Sequence, residues 1–280
     1  MAESFEELKA KAEGLRKAKN YAEAQAVYEK LWKEHRQACG KGEGWGYAHS
    51  LNHLKKHSEA IVICREVYKM DPNFDYNKNA YAWAIYGAEI KKDDEDIAAN
   101  EQTFFKAANA VVGLVKQDKS PFYARTVIKV LDYLKGKNNK QYDVMLEWAD
   151  KLDRNTLSED CFKYKDEEGK DREMACDKEK WYSIKTAALI KTGKYEECVK
   201  YCEEALTNLK KFHYDNDKWF KMRIALCKWK LGEKDESHIN EIKEILAQRK
   251  EWFLQYDLAE FFHDIGKDDD AMKYAISNFA

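Results

Sequence analysis

Trp83-x2-Tyr86-Gly87-x2-Ile90, followed by Ala99, constrains this chain more than any other stretch, because pieces of the same pattern return from end to end. Tyr47-Ala48-x2-Leu51 leads to Ala60, Cys64, Val67 and Pro72 with matching spacings, and Leu258-Ala259-x2-Phe262 leads to Ala271. Such recurrence marks a helix-turn-helix unit that cannot bury its apolar face alone and must stack on its neighbours. It specifies an architecture and a general mode of action, binding, without naming the partner.

Composition agrees. Of 280 residues, 44% are hydrophobic, which supplies a core, yet 36% are charged, more than a compact globule needs. An elongated stack keeps more surface per residue and accommodates both. Two prolines and twelve glycines are too few for the many turns of an all-β fold, so the chain reads as all-α.

The units can be followed along the chain. Leu8, Ala12 and Leu15 share one helical face, Asn20-Tyr21 turns the chain, and Ala24, Tyr28 and Leu31 face back. Unit two ends at Asp71-Pro72-Asn73, where proline stops the helix. Unit three opens with Tyr81-Ala82-Trp83 and has an extended second helix from Glu95 to about Val115. Ser120-Pro121 starts a further helix, the hydroxyl capping it, with Val127, Val130, Leu131 and Leu134 on its apolar face. Its partner carries Tyr142, Met145, Trp148, Ala149 and Leu152. Between Asp153 and Lys180 the helical rhythm breaks. There Cys161-Phe162-Lys163-Tyr164-Lys165 alternates before the turn-like Asp166-Glu167-Glu168-Gly169-Lys170, which reads either as a small β-hairpin or as a disordered charged loop. Helices resume with Asp177 as cap and continue through Cys198, Cys202 and Ala205.

The small turn-facing residues Ala24, Ala60, Ala99, Met145, Cys198, Ser237 and Ala271 serve as a ruler, with gaps of 36, 39, 46, 53, 39 and 34 residues. The outer gaps lie near a period of about 34. On these motifs the chain resembles the tetratricopeptide-repeat family over most of its length, in about seven divergent copies. The resemblance implies a right-handed α-solenoid whose first helices line a concave groove. It divides the chain into N-terminal repeats over 1–117, a divergent repeat over 118–152, the charged insertion over 153–177 and C-terminal repeats over 178–280, all in one array. Gly193-Lys194-Tyr195-Glu196-Glu197-Cys198 and Lys211-Phe212-His213-Tyr214 with Trp219 also resemble helical-repeat arms of bacterial conflict and anti-phage defence proteins.

Chemistry-bearing constellations are sparse. His49 and His53 lie four apart and could share a zinc ion, but no Glu follows His49, and Cys39 and Cys64 lack finger spacing. Trp45, His49, Asn52 and His53 read better as polar and aromatic groove lining, with Trp45 alternatively part of the core. No GxSxG elbow, Walker loop or CxxC occurs. Neither a catalytic site nor a cofactor is expected. Asp93-Asp94-Glu95-Asp96 and Asp268-Asp269-Asp270 fall at helix starts, where negative charge complements exposed amides. Cys161 and Cys176 flank the insertion and could pair across it, but seven cysteines without paired spacing favour reduced thiols in the cytoplasm. The opening Met1-Ala2-Glu3-Ser4 begins no apolar run of signal length, and no window reaches membrane-span length.

Two functions compete. The first is a non-enzymatic scaffold holding a peptide or helix of another protein against Trp45, His49, Asn52, His53, Tyr81, Trp219, Tyr256 and His263. The second is a module for single-stranded nucleic acid built on Lys210, Lys211, Lys218, Lys221, Arg223, Lys228 and Lys230, which alternate with Phe212, His213, Tyr214, Trp219, Phe220 and Trp229. Those aromatics would otherwise pack between repeats while the lysines solvate the outer face. The pattern ends at Ala280 without a polar closing helix, so that end is expected to meet a second subunit or a further domain.

Overall fold

The computed structural model describes residues 3–233, 240 and 252–276. It contains fourteen α-helices and one two-stranded sheet among those residues, so the expected all-α fold with a small β-hairpin is what the chain adopts. The chain divides into two compact units, Met1–Tyr133 and Leu134–Ala280.

In the first unit, α1 (Phe5–Lys17) pairs with α2 (Tyr21–Glu34), α3 (Lys41–His53) with α4 (His57–Met70), and α5 (Asp75–Ile85) with α7 (Glu101–Leu114). Each helix also touches the next along the chain, and α1, α3 and α5 touch in succession. Their common core includes Ala24, Leu31, Ala48, Leu51, Ala60 and Val67, none with exposed surface. Burying each of the larger of these contributes about 1.5–3 kcal/mol.

One turn recurs and makes the repetition concrete. The N–H of Asn20 bonds to Leu15 C=O and that of Lys56 to Leu51 C=O, both at 2.9 Å. In the second unit Lys194 bonds to Leu189 and Glu233 to Lys228 at 2.9 Å, and Lys267 to Phe262 at 2.8 Å. Each bond closes a helix end around a left-handed residue: Lys19, Lys55, Gly193, Gly232 and Gly266.

Several local expectations are corrected. The long helix from Glu95 is two helices, α6 (Asp94–Ala99) and α7, because Asn100 leaves helical geometry at φ −134°, ψ 39°. Ala99 is therefore exposed, and Ala107 and Ala108 fill the buried position. The first helix of unit three starts at Asp75 and ends in a π-turn over Tyr86–Ile90, closed by Lys91 N–H to Tyr86 C=O. Gly87 is needed there, since a Cβ would collide with the His57 ring. α8 (Pro121–Gly136) begins at proline as expected, but the Ser120 hydroxyl is buried with no hydrogen-bond partner among the described residues. Ser237 and the side chain of Leu258 lie outside the described residues.

In the second unit, α9 (Tyr142–Ala149) packs on α10 (Asp177–Lys191), which packs on α11 (Tyr195–Asn208) and α12 (Asp217–Lys230). Cys176, not Asp177, caps α10, its Sγ accepting the Glu179 N–H at 3.4 Å. Trp181 Nε1 donates to Ala149 C=O at 2.8 Å, and buried Lys185 pairs with Asp150 beside the rings of Trp181 and Tyr201. α13 (Trp252–Asp264) and α14 (Asp268–Ile276) form the last pair, with Phe262 stacked on Tyr274. Between α9 and α10 the hairpin of β1 (Phe162–Lys165) and β2 (Asp171–Met174) projects, exposed on both faces.

Candidate partner-binding surface

Residues four apart on a helix stack one turn above another, so α3 carries Trp45, His49 and His53 in a single row. The opposite side of α3 is pressed into the core by glycine. A Cβ at Gly44 would collide with Val67 and lie 2.7 Å from Trp32, and one at Gly46 would collide with the Tyr28 hydroxyl.

The row joins a larger aromatic strip. Trp45 lies 5.4 Å from both His49 and Tyr76, and His49 lies 4.6 Å from His53. Trp83 meets His53 edge-on at 4.9 Å and stacks against Phe122 at 5.9 Å, which in turn contacts Tyr86. Tyr21, from the start of α2, stacks flat on His53. The Arg16 guanidinium covers Trp45 at 4.5 Å, and Arg125 lies 5.8 Å from Phe122. Most of these rings are half-buried, with Tyr76 and His53 exposed. The strip thus spans α2, α3, α5, the π-turn and α8 within the first unit.

Its imidazoles are neutral near pH 7. Burial holds His49 down to about 4, helped by His53 and Arg16, and burial also lowers His53, helped by Lys19. The buried His49 Nδ1 has no hydrogen-bond partner among the described residues.

The other expected residues are placed differently. Asn52 lies beneath the strip, fully buried, donating to Ala80 C=O at 2.9 Å and contacting His57 Nδ1 at 3.1 Å. It ties α3 to α5 and to the start of α4. Tyr81 meets Tyr68 of α4 edge-on at 6.4 Å. In the second unit, Trp219 and Arg223 line a cavity of about 180 Å³ with Ile190, Met222 and Phe261. An adjoining cavity of about 320 Å³ shares Ile190, Lys191, Arg223 and Glu260 and reaches Tyr142 and Met145. Tyr256 and His263 are exposed, bonded to Glu260 at 3.2 Å and Asp268 at 3.0 Å.

The basic segment is largely engaged within its unit. Lys210 pairs with Glu159 at 3.6 Å, Lys211 with Glu173 at 2.9 Å and Lys221 with Asp217 at 3.1 Å. Lys218 is buried and lies over Trp219, Arg223 donates to Thr186 Oγ1 at 3.0 Å, and Lys230 donates to Asp264 C=O. Lys228 is half-buried on α12.

Sequence reasoning singled out Trp45, His49 and His53 but not Tyr21, Tyr76 or Phe122, and it read Trp83 as a repeat marker. The signal that could have found more was the seven-residue spacing of Tyr76 and Trp83, which puts both on one face of α5. Among the described residues, no group of three or more His, Cys, Asp or Glu is placed to hold a metal ion, and no helix is long and apolar enough to cross a membrane.

No family profile matches the chain, and no curated protein matches it. Solved structures do. The chain is similar to PilF of Pseudomonas aeruginosa at 13% identity, TM-score 0.39, over 84% of this chain and 90% of that one. It is similar to the C-terminal part of a TPR repeat-containing protein from Cytophaga hutchinsonii at 15% identity, TM-score 0.43, over 96% and 94%. It is also similar to a chain of the Naa15/Naa10 complex bound to HypK at 12% identity, TM-score 0.49, over 98% of this chain but 36% of the other.

Proposed function

We propose that this protein is a non-enzymatic cytoplasmic scaffold that holds an extended or helical segment of another protein against the Trp45–His49–Trp83–Phe122 strip. The observation that carries this reading is the continuity of half-exposed rings across successive helices, from Tyr76 through Trp45 and His53 to Phe122. Rigid aromatics give large contact area at low entropic cost. The second cavity, along α10 and α12, offers further contacts by the same means.

Charge weighs against the rival module for single-stranded nucleic acid. Phosphate binding needs cations able to leave their present partners, whereas most of the Lys210–Lys230 cations are paired or buried. The imidazoles of the strip are neutral, and Arg16 already sits on a ring.

Affinity capture from native extract, comparing the wild-type chain with a Trp45→Ala, His49→Ala and His53→Ala triple variant, tests the scaffold reading. Loss of one or a few captured proteins, with the helical circular dichroism retained, is expected. An unchanged set would overturn it. Steep, salt-sensitive binding of single-stranded RNA that is lost in a Lys218, Lys221 and Arg223 triple alanine variant would establish the rival.

A further inference from the structure

The hairpin between α9 and α10 is unlike the rest of the fold, and its backbone can be oriented from its turn. Gly169 N–H bonds to Asp166 C=O at 2.9 Å, and Asp166 N–H bonds to Lys170 C=O at 3.0 Å. Gly169 takes φ +76°, the left-handed conformation that this bulged three-residue loop requires. The Asp166 carboxylate completes the loop by accepting from the N–H groups of Glu168 and Lys170 and from Arg172.

Paired residues in an antiparallel ladder alternate between those that exchange hydrogen bonds and those whose N–H and C=O point outward. Counting from the bonded Asp166–Lys170 pair, Tyr164–Arg172 and Phe162–Met174 are bonded, while Lys165–Asp171 and Lys163–Glu173 face outward. An independent contact agrees: His213 Nε2 sits 2.5 Å from the Glu173 carbonyl, on the outer edge of β2. At Glu173 that edge is occupied. On the other side, the outward N–H and C=O groups of Lys163 and Lys165 form the outer edge of β1, to which no strand is paired among the described residues.

Side chains divide by face about this edge, with Arg172 opposite Tyr164 among the apolar ones and held by Asp166. Phe162, Tyr164 and Met174 share one face and are 66%, 42% and 41% exposed, with Phe162 and Tyr164 stacked at 6.3 Å. Lys163 and Lys165 share the other face, opposite Glu173 and Asp171 of β2. Lysine on an open edge discourages pairing with a like strand, because two copies of β1 would set lysine against lysine. It favours a strand whose alternate side chains are acidic, extending the acid–lysine alternation already made by β2 and β1. We propose that the outer edge of β1 is a docking edge for an extended acidic segment of another protein. Carboxylates of that segment lie beside Lys163 and Lys165, and its intervening apolar side chains cover Phe162 and Tyr164.

The test uses the full chain and a blocked synthetic octapeptide alternating Glu and Val, with Lys–Val and proline-interrupted peptides as controls. Expected are binding of the Glu–Val peptide at up to 1 mM and at least tenfold slower amide exchange at Lys163 and Lys165. Neither control should bind. Lys163→Pro removes an outward donor while sparing the ladder bonds, and should abolish binding with the Tyr164 and Arg172 amides still protected. If that variant unfolds the hairpin, Lys163→Glu with Lys165→Glu carries the test by reversing the preference to the Lys–Val peptide. Absence of binding, unchanged exchange at Lys163 and Lys165, or a charge-reversed variant that keeps its preference would overturn the proposal. So would a hairpin-mediated dimer in sedimentation, or saturable binding of oligouridylate in place of the peptide.

Discussion

The imidazole of His53 lies flat on the Tyr21 ring, with centroids 3.7 Å apart and planes within 4°, and it contacts His49 one turn earlier on α3. Both histidines are held neutral by burial, so protonation opposes the packing that defines the strip.

A pH dependence follows. The folded pKa of His49, about 4, lies below its unfolded value of roughly 6.5. Its contribution is therefore fully present above the unfolded value and is lost as pH falls toward the folded one. Since His49 is only half-buried, about 1–2 kcal/mol is expected from this residue. Urea unfolding at pH 7.5 and pH 4.5 should show a smaller difference in His49→Gln than in the wild type. An identical difference in both would contradict the assignment.

Asn52→Ala removes the donor to Ala80 C=O and the contact to His57 at a site with no access to water. A loss of about 1–3 kcal/mol is expected. Asn77→Ala, which cuts the bond to Cys64 C=O, should cost a similar amount. Denaturant midpoints at neutral pH check both. If Asn52 were instead a contact residue, partner binding would fall with stability unchanged.

Glycines on α3 should respond with opposite signs. At Gly42 an added methyl would have no neighbour within 4 Å, so Gly42→Ala should be neutral or stabilise by up to about 1 kcal/mol through helix propensity. Gly44→Ala drives a methyl into Val67 and Trp32 and should cost about 1–3 kcal/mol. Thermal melts of the two variants suffice.

The recurring turn gives a third pair. Lys55 takes φ 60° where Gly193 takes φ 74° in the equivalent loop. Lys55→Gly relieves a side chain in the left-handed region, while Gly193→Ala introduces one, each by about 1 kcal/mol. Melting temperature should rise in the first and fall in the second.

All seven cysteines are free thiols, and Cys161 is half-exposed while the others are buried. A brief treatment of the native protein with iodoacetamide should therefore add one label, at Cys161, by peptide mass mapping. Burial raises the Cys64 and Cys202 thiols, and these should react only on unfolding.

Much of the fold was legible because its signals are local. Alternation in Phe162–Lys165 and the Asp166–Gly169 turn pointed to a hairpin as one of two readings, which the structure bears out, and buried Ala24, Ala60, Cys198 and Ala271 kept the repeat spacing. Ala99 failed as a marker because Asn100 breaks the helix, a backbone choice that spacing does not encode. The strip was half legible. Trp45, His49 and His53 share one helix, but their neighbours Tyr21, Trp83 and Phe122 come from three others, and only packing brings them together.

Trp181 reaching back to Ala149 places α10 against α9 as though the intervening thirty-odd residues were absent. Within the first unit α1 to α5 meet partners close in sequence and can meet early, whereas this junction must first close a long loop. Assembly of the second unit should accordingly wait on that closure, and shortening the 158–175 detour would hasten refolding without loosening the helices it separates.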